Sequence, residues 1–242
     1  DSIIGRIVPG YNFINSPVLQ RHMNYIYDKG GIYKIFNGNL LYHGCIPTKE
    51  DGTFDDVYID GQYLSGWKYL KQVEDKVRKA FYCEVGSEEQ LNALDYCWYL
   101  WSGPKSPLFG KNKMTTFERY FIEDKATHKE HYNPYYYHIE SRDYCKSILK
   151  EFDLDINKSH IVNGHIPVKT HKGESPIKGG GILLVIDGGL SKAYHKSTGI
   201  GGYTLISNSN MMIIAEHRPF VEVVDSGFKI SPKITIVERF NK

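Results

Sequence analysis

Two short apolar runs of the 242-residue chain are cut off in the same way. Leu40-Leu41-Tyr42 leads into His43-Gly44-Cys45-Ile46-Pro47, and Ile161-Val162-Asn163 leads into Gly164-His165-Ile166-Pro167. Apolar runs of this length, bounded by turn residues, read as buried strands. Each run therefore ends in a histidine next to a glycine, followed by Ile-Pro. Strand ends and the loops after them are where α/β sheets build their sites. If both strands lie in one sheet, the two imidazoles meet there.

The rest of the chain divides by pattern. Ser16-Pro17 signals an N-cap with proline in the first helical turn, so a helix is expected over 17–29, closed by Gly30-Gly31. Strands follow at 32–36 and 40–42 around the Asn37-Gly38-Asn39 turn. Ser65 opens a helix carrying Leu70, Val73, Val77, Ala80 and Phe81 at helical spacing, and Ser87 with Gln90 forms a capping box before a helix over 91–101. Thr115-Thr116 caps a short helix through Phe121, and Ser141 opens one to about Phe152. Strands are expected at 160–163, 182–186, 202–206, 211–217, 221–224 and 234–238. Turns at 207–210 and 225–227 suggest successive antiparallel partners. Helices thus fill the first two thirds and antiparallel strands the last third. The fold class is α/β (α+β mixed), as a single domain over 1–242.

Charge and composition narrow the partners. Thirty basic and 28 acidic residues leave a net +2, so no cationic field exists to hold a nucleic-acid backbone. The apolar runs at 181–186 and 211–215 are too short to cross a bilayer, and the N-terminus lacks a secretory pattern. No nucleic acid and no membrane are expected as partners, and the cytoplasm is the expected location. The four cysteines form no Cys-x-x-Cys pair, which argues for reduced thiols over a zinc knuckle or disulfides. Nineteen tyrosines suit a broad interface or a wet cleft.

Two groups of residues could carry chemistry. His43 and His165 are placed to aim ring nitrogens into a cleft, and imidazole binds manganese, iron or zinc readily; the bland alternative is that each completes a turn. His22, His128, His131, His138, His171 and His195 have no ligand spacing. Lys178 and Ser175 lie in one glycine- and lysine-rich loop, Lys192 follows Asp187-Gly188-Gly189, and Lys105 and Lys111 lie in a second such loop. Exposed amides, hydroxyls and ammonium groups make an anion site, against the alternative of ordinary solvated loops. Asp187 could be an acid, a base or a ligand, or could shape its turn. Cys45, two residues from His43, is a weak candidate for nucleophilic chemistry.

Longer stretches carry a resemblance. YHGCIP at 42–47, WSGPKSPLFGK at 101–111, MTTFERYF at 114–121, VNGHIPVK at 162–169, GESPIK at 173–178 and IDGGLSKAY at 186–194 resemble the class III fructose-1,6-bisphosphatases of bacteria, over almost the whole chain. That family looks like a branch of the calcineurin-like metallophosphatases, which implies part of an αββα sandwich and a two-metal site. The resemblance implies hydrolysis of fructose 1,6-bisphosphate to fructose 6-phosphate and phosphate in gluconeogenesis, by a metal-activated hydroxide. His43 and His165 would hold one divalent metal, expected to be Mn2+, and Lys178, Ser175, Lys192, Lys105 and Lys111 would bind the sugar phosphate. The superfamily blocks Asp-x-His, Gly-Asp-x-x-Asp-Arg-Gly and Gly-Asn-His-Asp/Glu do not occur here. The chain therefore looks like the C-terminal part of a longer enzyme whose missing N-terminal part is its partner and holds the catalytic residues. Alone it is expected to be inactive, and homo-oligomer formation stays open. The alternatives are a metallophosphatase of other specificity, or a non-catalytic phosphometabolite-binding or assembly fragment.

Overall fold

The computed structural model describes residues 12–188, 202–217, 222–224, 227–229 and 233–239. They fall into two compact units, one made of the chain up to Ile32 with 71–97, the other of 33–70 with the chain from Trp98 onward.

The first unit is helical. Helix α1, Pro17–Lys29, starts where the Ser16 hydroxyl accepts the Leu19 N–H, as the Ser-Pro signal predicts, and Gly30 closes it by donating to the Ile26 carbonyl at 2.8 Å. Arg78 donates to the carbonyls of Tyr27 and Gly30, covering acceptors that the helix end leaves open. Tyr27 stacks on Phe81 with ring centroids 3.9 Å apart. Arg78 and Phe81 lie on α2, Gly66–Tyr82, which with α3, Glu88–Ser102, contributes to both units. The capping signal before α3 closes one residue early. Gln90 N–H reaches Ser87 Oγ at 3.2 Å, but the Gln90 carboxamide oxygen turns back to the Gly86 N–H at 2.8 Å.

The second unit is built on sheets. Strands β1, Tyr33–Phe36, and β2, Asn39–Tyr42, form the expected hairpin. A short hairpin of β3, Val57–Ile59, and β4, Gln62–Leu64, precedes α2. The short helices α4, Thr116–Phe121, and α5, Tyr135–His138, lead to α6, Arg142–Glu151, capped by Ser141. At the start of α2 the Glu151 carboxylate accepts the Trp67 N–H at 3.2 Å, an acidic group placed where a helix N-terminus favours one.

Strands β5, Ile161–Asn163, β6, Ile177–Lys178, and β7, Leu183–Val185, then join β1 and β2 in a five-stranded sheet of order β1-β2-β5-β7-β6. Its three central strands are parallel, with Leu40 opposite Ile161 and Ile161 opposite Leu183. Every residue of β5 and β7 is buried, because a parallel strand covered on both faces needs an unbroken apolar run. A second sheet of order β12-β9-β8 is antiparallel, formed by β8, Tyr203–Ser207, β9, Met211–Glu216, and β12, Lys233–Arg239. A separate hairpin pairs β10, Glu222–Val224, with β11, Gly227–Lys229.

The molecule is thus a mixed α/β fold, as expected, but two pairings differ from the reading of successive antiparallel partners. The 183–185 strand lies parallel to β5 instead of starting an antiparallel run. The second partner of β9 is β12, and not the strand at 222–224. Turn residues signal that a chain reverses; they do not say which edge is still vacant when the next strand arrives. Among the described residues no helix is long and apolar enough to cross a membrane.

Candidate functional site: a histidine pair at two strand ends

Strands β2 and β5 are parallel neighbours, so their C-terminal ends lie side by side. The chain leaves them at Tyr42 and Asn163, and a single side chain ties the two exits together. Asn163, only 2% exposed, directs its carboxamide N–H groups at the carbonyls of Tyr42 (3.2 Å), His43 (3.1 Å) and Gly44 (2.8 Å). The Gly164 N–H adds a bond to the His43 carbonyl at 3.1 Å.

Gly44 allows a third segment to close in. A Cβ there would lie 1.9 Å from the Pro107 carbonyl oxygen, which also accepts the Cys45 N–H at 2.8 Å. Only glycine lets the backbones of the 101–111 loop and the β2 exit approach this closely. Gly44→Ala is expected to lower unfolding free energy by about 3 kcal/mol, since rigid backbone and not a flexible side chain meets the new methyl. Urea denaturation of the purified variant checks this.

His165 has a positive φ of 70°, and the Ile166 N–H bonds back across it to the Gly164 carbonyl at 2.9 Å. This γ-turn is a rare and costly conformation for a residue bearing a Cβ, and it swings the ring away from the path of the strand. The ring comes to rest with its centroid 5.3 Å from that of His43, the two planes at 89°. Nε2 of His165 lies 3.1 Å from the Phe109 carbonyl oxygen. A carbonyl can only accept, so Nε2 carries the proton and Nδ1 keeps its lone pair. A metal-binding imidazole is usually held in this way, with its second nitrogen donating to a backbone carbonyl. Burial pulls the His165 pKa below its ordinary value; the Phe109 bond opposes this, and His43 adds to it. The neutral imidazole that a metal requires is therefore favoured. His43 is exposed, with its Nδ1 edge against Gly164.

The donor set fits half of a metal centre. Two imidazoles converge, one with its outer nitrogen already held, yet among the described residues no group of three or more His, Cys, Asp or Glu side chains assembles. Asp187 lies close enough to affect the charge of His165, but its carboxylate closes its own turn by accepting the Gly188 N–H at 2.7 Å. Cys45 is buried, and burial pushes its thiol up to about 12, so it offers no thiolate. Two other histidines anchor loops: His128 Nε2 meets the Ile122 carbonyl at 2.8 Å, and His138 Nε2 meets that of Glu50 at 3.1 Å.

The candidate anion contacts separate into three groups. Lys178 lines a cavity of about 200 Å³ beside the histidine pair, with Asn163, Gly164, Tyr136 and Glu174, and pairs with the exposed carboxylate of Glu140. The Tyr136 ring lies nearly parallel to that of His165, 6.4 Å away. Lys111 is near enough to His165 to disfavour its protonation, while its ammonium bonds Glu130 at 2.8 Å. Lys105 bonds the Asp55 carboxylate and the Asp56 carbonyl, both at 3.0 Å. Ser175 is exposed, and its hydroxyl accepts the Ile177 N–H at 3.1 Å. Lys192 lies outside the described residues.

The Lys111 pair has a measurable signature. Lys111, followed by the Thr115 amide, holds the Glu130 carboxyl down at about 2. A carboxylate with a lowered folded-state pKa contributes stability above its unfolded value, near 4.3, and loses it as pH falls toward 2. Glu130→Gln is therefore expected to be less stable than the native protein at pH 7, the difference shrinking between about pH 4.5 and 2.5. Denaturant midpoints across that range measure it.

Sequence reasoning missed the Asn163 clamp and the Gly44–Pro107 contact. A signal for the first was present: an amide residue ending a buried apolar run has to place its polar atoms somewhere.

The family model described as Firmicute fructose-1,6-bisphosphatase matches residues 3–242. A protein of Clostridium novyi (strain NT) named fructose-1,6-bisphosphatase class 3 is 53% identical over 212 residues, covering 88% of this chain and 32% of its own length. One of the same name from Clostridium botulinum (strain Kyoto / Type A2) is 50% identical over 230 residues, covering 94% of this chain and 34% of its own. The chain thus spans about a third of the length of these curated relatives. No solved structure matches it.

Proposed function

The chain belongs to the Firmicute fructose-1,6-bisphosphatase family, and we propose that it supplies one third of an enzyme converting fructose 1,6-bisphosphate to fructose 6-phosphate and phosphate. The observation that carries the reading is the convergence of two imidazoles, 5.3 Å apart, at the ends of adjacent parallel strands. His43 and His165 hold one divalent cation, with Mn2+ the expected ion. Divalent metals supply, when bound, Lewis acidity toward phosphoryl oxygens and an activated water. Two imidazoles do not complete such a centre, so carboxylate ligands come from the rest of the enzyme.

The chain's own residues do the orienting. The Phe109 carbonyl fixes the His165 tautomer, and the Asn163 clamp fixes the backbone from which His43 projects. Lys178, facing the cavity beside Gly164, exchanges the Glu140 carboxylate for a phosphoryl group of the substrate. Lys111 adds positive charge near the same place, and Ser175 and Lys192 complete the contacts to the sugar phosphate. Lys105 is better accounted for as the anchor of the Asp55–Asp56 loop. The two sheets would form part of an αββα sandwich completed by the remaining two thirds, as one domain in a cytoplasmic enzyme.

The test is to express the chain together with its upstream coding sequence and assay phosphate release with Mn2+. Preference for fructose 1,6-bisphosphate over other sugar phosphates and phosphopeptides is expected. Absence of that preference would overturn the reading.

A further inference from the structure

Helix α4 is mounted with its apolar side outward. Phe117, Tyr120 and Phe121 follow the i, i+3, i+4 spacing that places side chains on one helical face, and they are 75%, 79% and 79% exposed. The Phe117 and Phe121 rings lie nearly parallel, with centroids 6.4 Å apart, and Tyr120 lies at the same distance from Phe121. At roughly 150–250 Å² for each aromatic side chain, three such rings leave on the order of 450 Å² of mostly apolar surface in water. Exposed patches of this size mark interaction sites.

Polar side chains hold the helix from its other side. Thr115, fully buried, gives its N–H to the Glu130 carboxylate at 3.0 Å and places its hydroxyl 2.9 Å from the same oxygen. Arg119 donates to the Thr115 hydroxyl at 3.0 Å and to the His128 carbonyl at 3.3 Å, and Lys113 donates to the Thr127 carbonyl at 2.8 Å. A surface helix ordinarily turns its apolar stripe to the core and its polar side to water. Here the polar side is anchored and the apolar side is presented.

The anchor leads to the histidine pair. One oxygen of Glu130 receives Thr115 and the other receives Lys111, whose charge reaches His165. The Phe109 carbonyl that holds the His165 ring lies two residues before Lys111 in the same loop. A body seated on α4 is therefore held in register with the imidazoles through one carboxylate and one loop. The proposed metal centre needs carboxylates from outside this chain, which covers 32% and 34% of two curated relatives. A second copy of the chain would bring only a duplicate of what is already there. Resting on that reading of the histidine pair, we infer that the aromatic face of α4 is the seat of the part of the enzyme that this chain lacks, and that it holds that part where its carboxylates reach His43 and His165.

Photo-crosslinking of the complete enzyme tests this, in EDTA and without substrate, so that the result depends neither on metal nor on phosphate release. With p-benzoylphenylalanine in place of Tyr120, an aromatic ring stays at the exposed position. Irradiation is expected to join residue 120 to a peptide outside residues 1–242 of the same polypeptide, at monomer mass on a denaturing gel. In a second variant, Phe117→Ser with Phe121→Ser, the Thr115, Arg119 and Glu130 anchor is untouched. Circular dichroism should show it folded, with tryptic cleavage outside residues 1–242 faster by at least about tenfold. A cross-link outside 1–242 without preference for fructose 1,6-bisphosphate would keep the seat and remove the substrate reading instead. A cross-link within 1–242, a band at twice the monomer mass, no cross-link, or an unchanged cleavage rate in the folded double variant overturns the inference.

Discussion

Replacing His165 with alanine in the complete enzyme is expected to lower kcat/KM for fructose 1,6-bisphosphate by at least about 10³, a loss of roughly 4 kcal/mol of transition-state stabilisation. The magnitude follows from what the ring does in the proposed site. It is one of two imidazoles that this chain contributes, and its Nδ1 is freed because Phe109 holds Nε2 as a donor. A methyl group leaves a cation with one ligand fewer and no substitute within the described residues, where no third His, Cys, Asp or Glu joins the pair. His43→Ala should behave alike, since the two rings act as a unit and their losses do not add. Metal content of the dialysed protein is the independent reading: bound Mn2+ should fall in both variants. Full occupancy and full activity in either variant would remove both histidines from the centre.

The second large effect concerns a residue that touches no ligand. Asn163→Asp is expected to destabilise the fold by about 3 kcal/mol, more than Asn163→Ala does. The amide supplies the donors for three carbonyls gathered at the β2 exit, two of them on the buried residues Tyr42 and Gly44. Alanine leaves those oxygens to whatever water can enter. Aspartate also turns its own oxygens toward them, replacing attraction by repulsion at the same distance. The His43 carbonyl keeps the Gly164 N–H, so the strand exits should loosen and not separate. Urea denaturation measures the stability term. Metal affinity is expected to weaken about 10- to 100-fold in the folded variant, as for other groups that orient ligands from behind.

Local elements were legible wherever a backbone signal and a side-chain pattern agreed. The helix at 17–29 begins at Ser16 and ends at Gly30 because capping is settled within one turn of the chain. The hairpin around residues 37–39 follows equally from its turn. Strand order was not legible in the same way. That β7 lies parallel to β5 and that β12 displaces β10 as the partner of β9 depend on which edges remain open after the earlier elements have packed.

The site divides along the same line. From the sequence alone follow the two histidines at strand ends and the glycines beside them, since apolar runs and turn residues act over a few neighbouring positions. The tertiary structure alone decided that β2 and β5 are neighbours. It also decided that Asn163 binds three carbonyls, that Phe109 selects the proton position on His165, and that Lys105 pairs with Asp55. The physical reason is range. Capping and periodicity are local energies, whereas a tautomer, a clamp or an ion pair depends on atoms that only the packing of distant segments brings within about 3 Å.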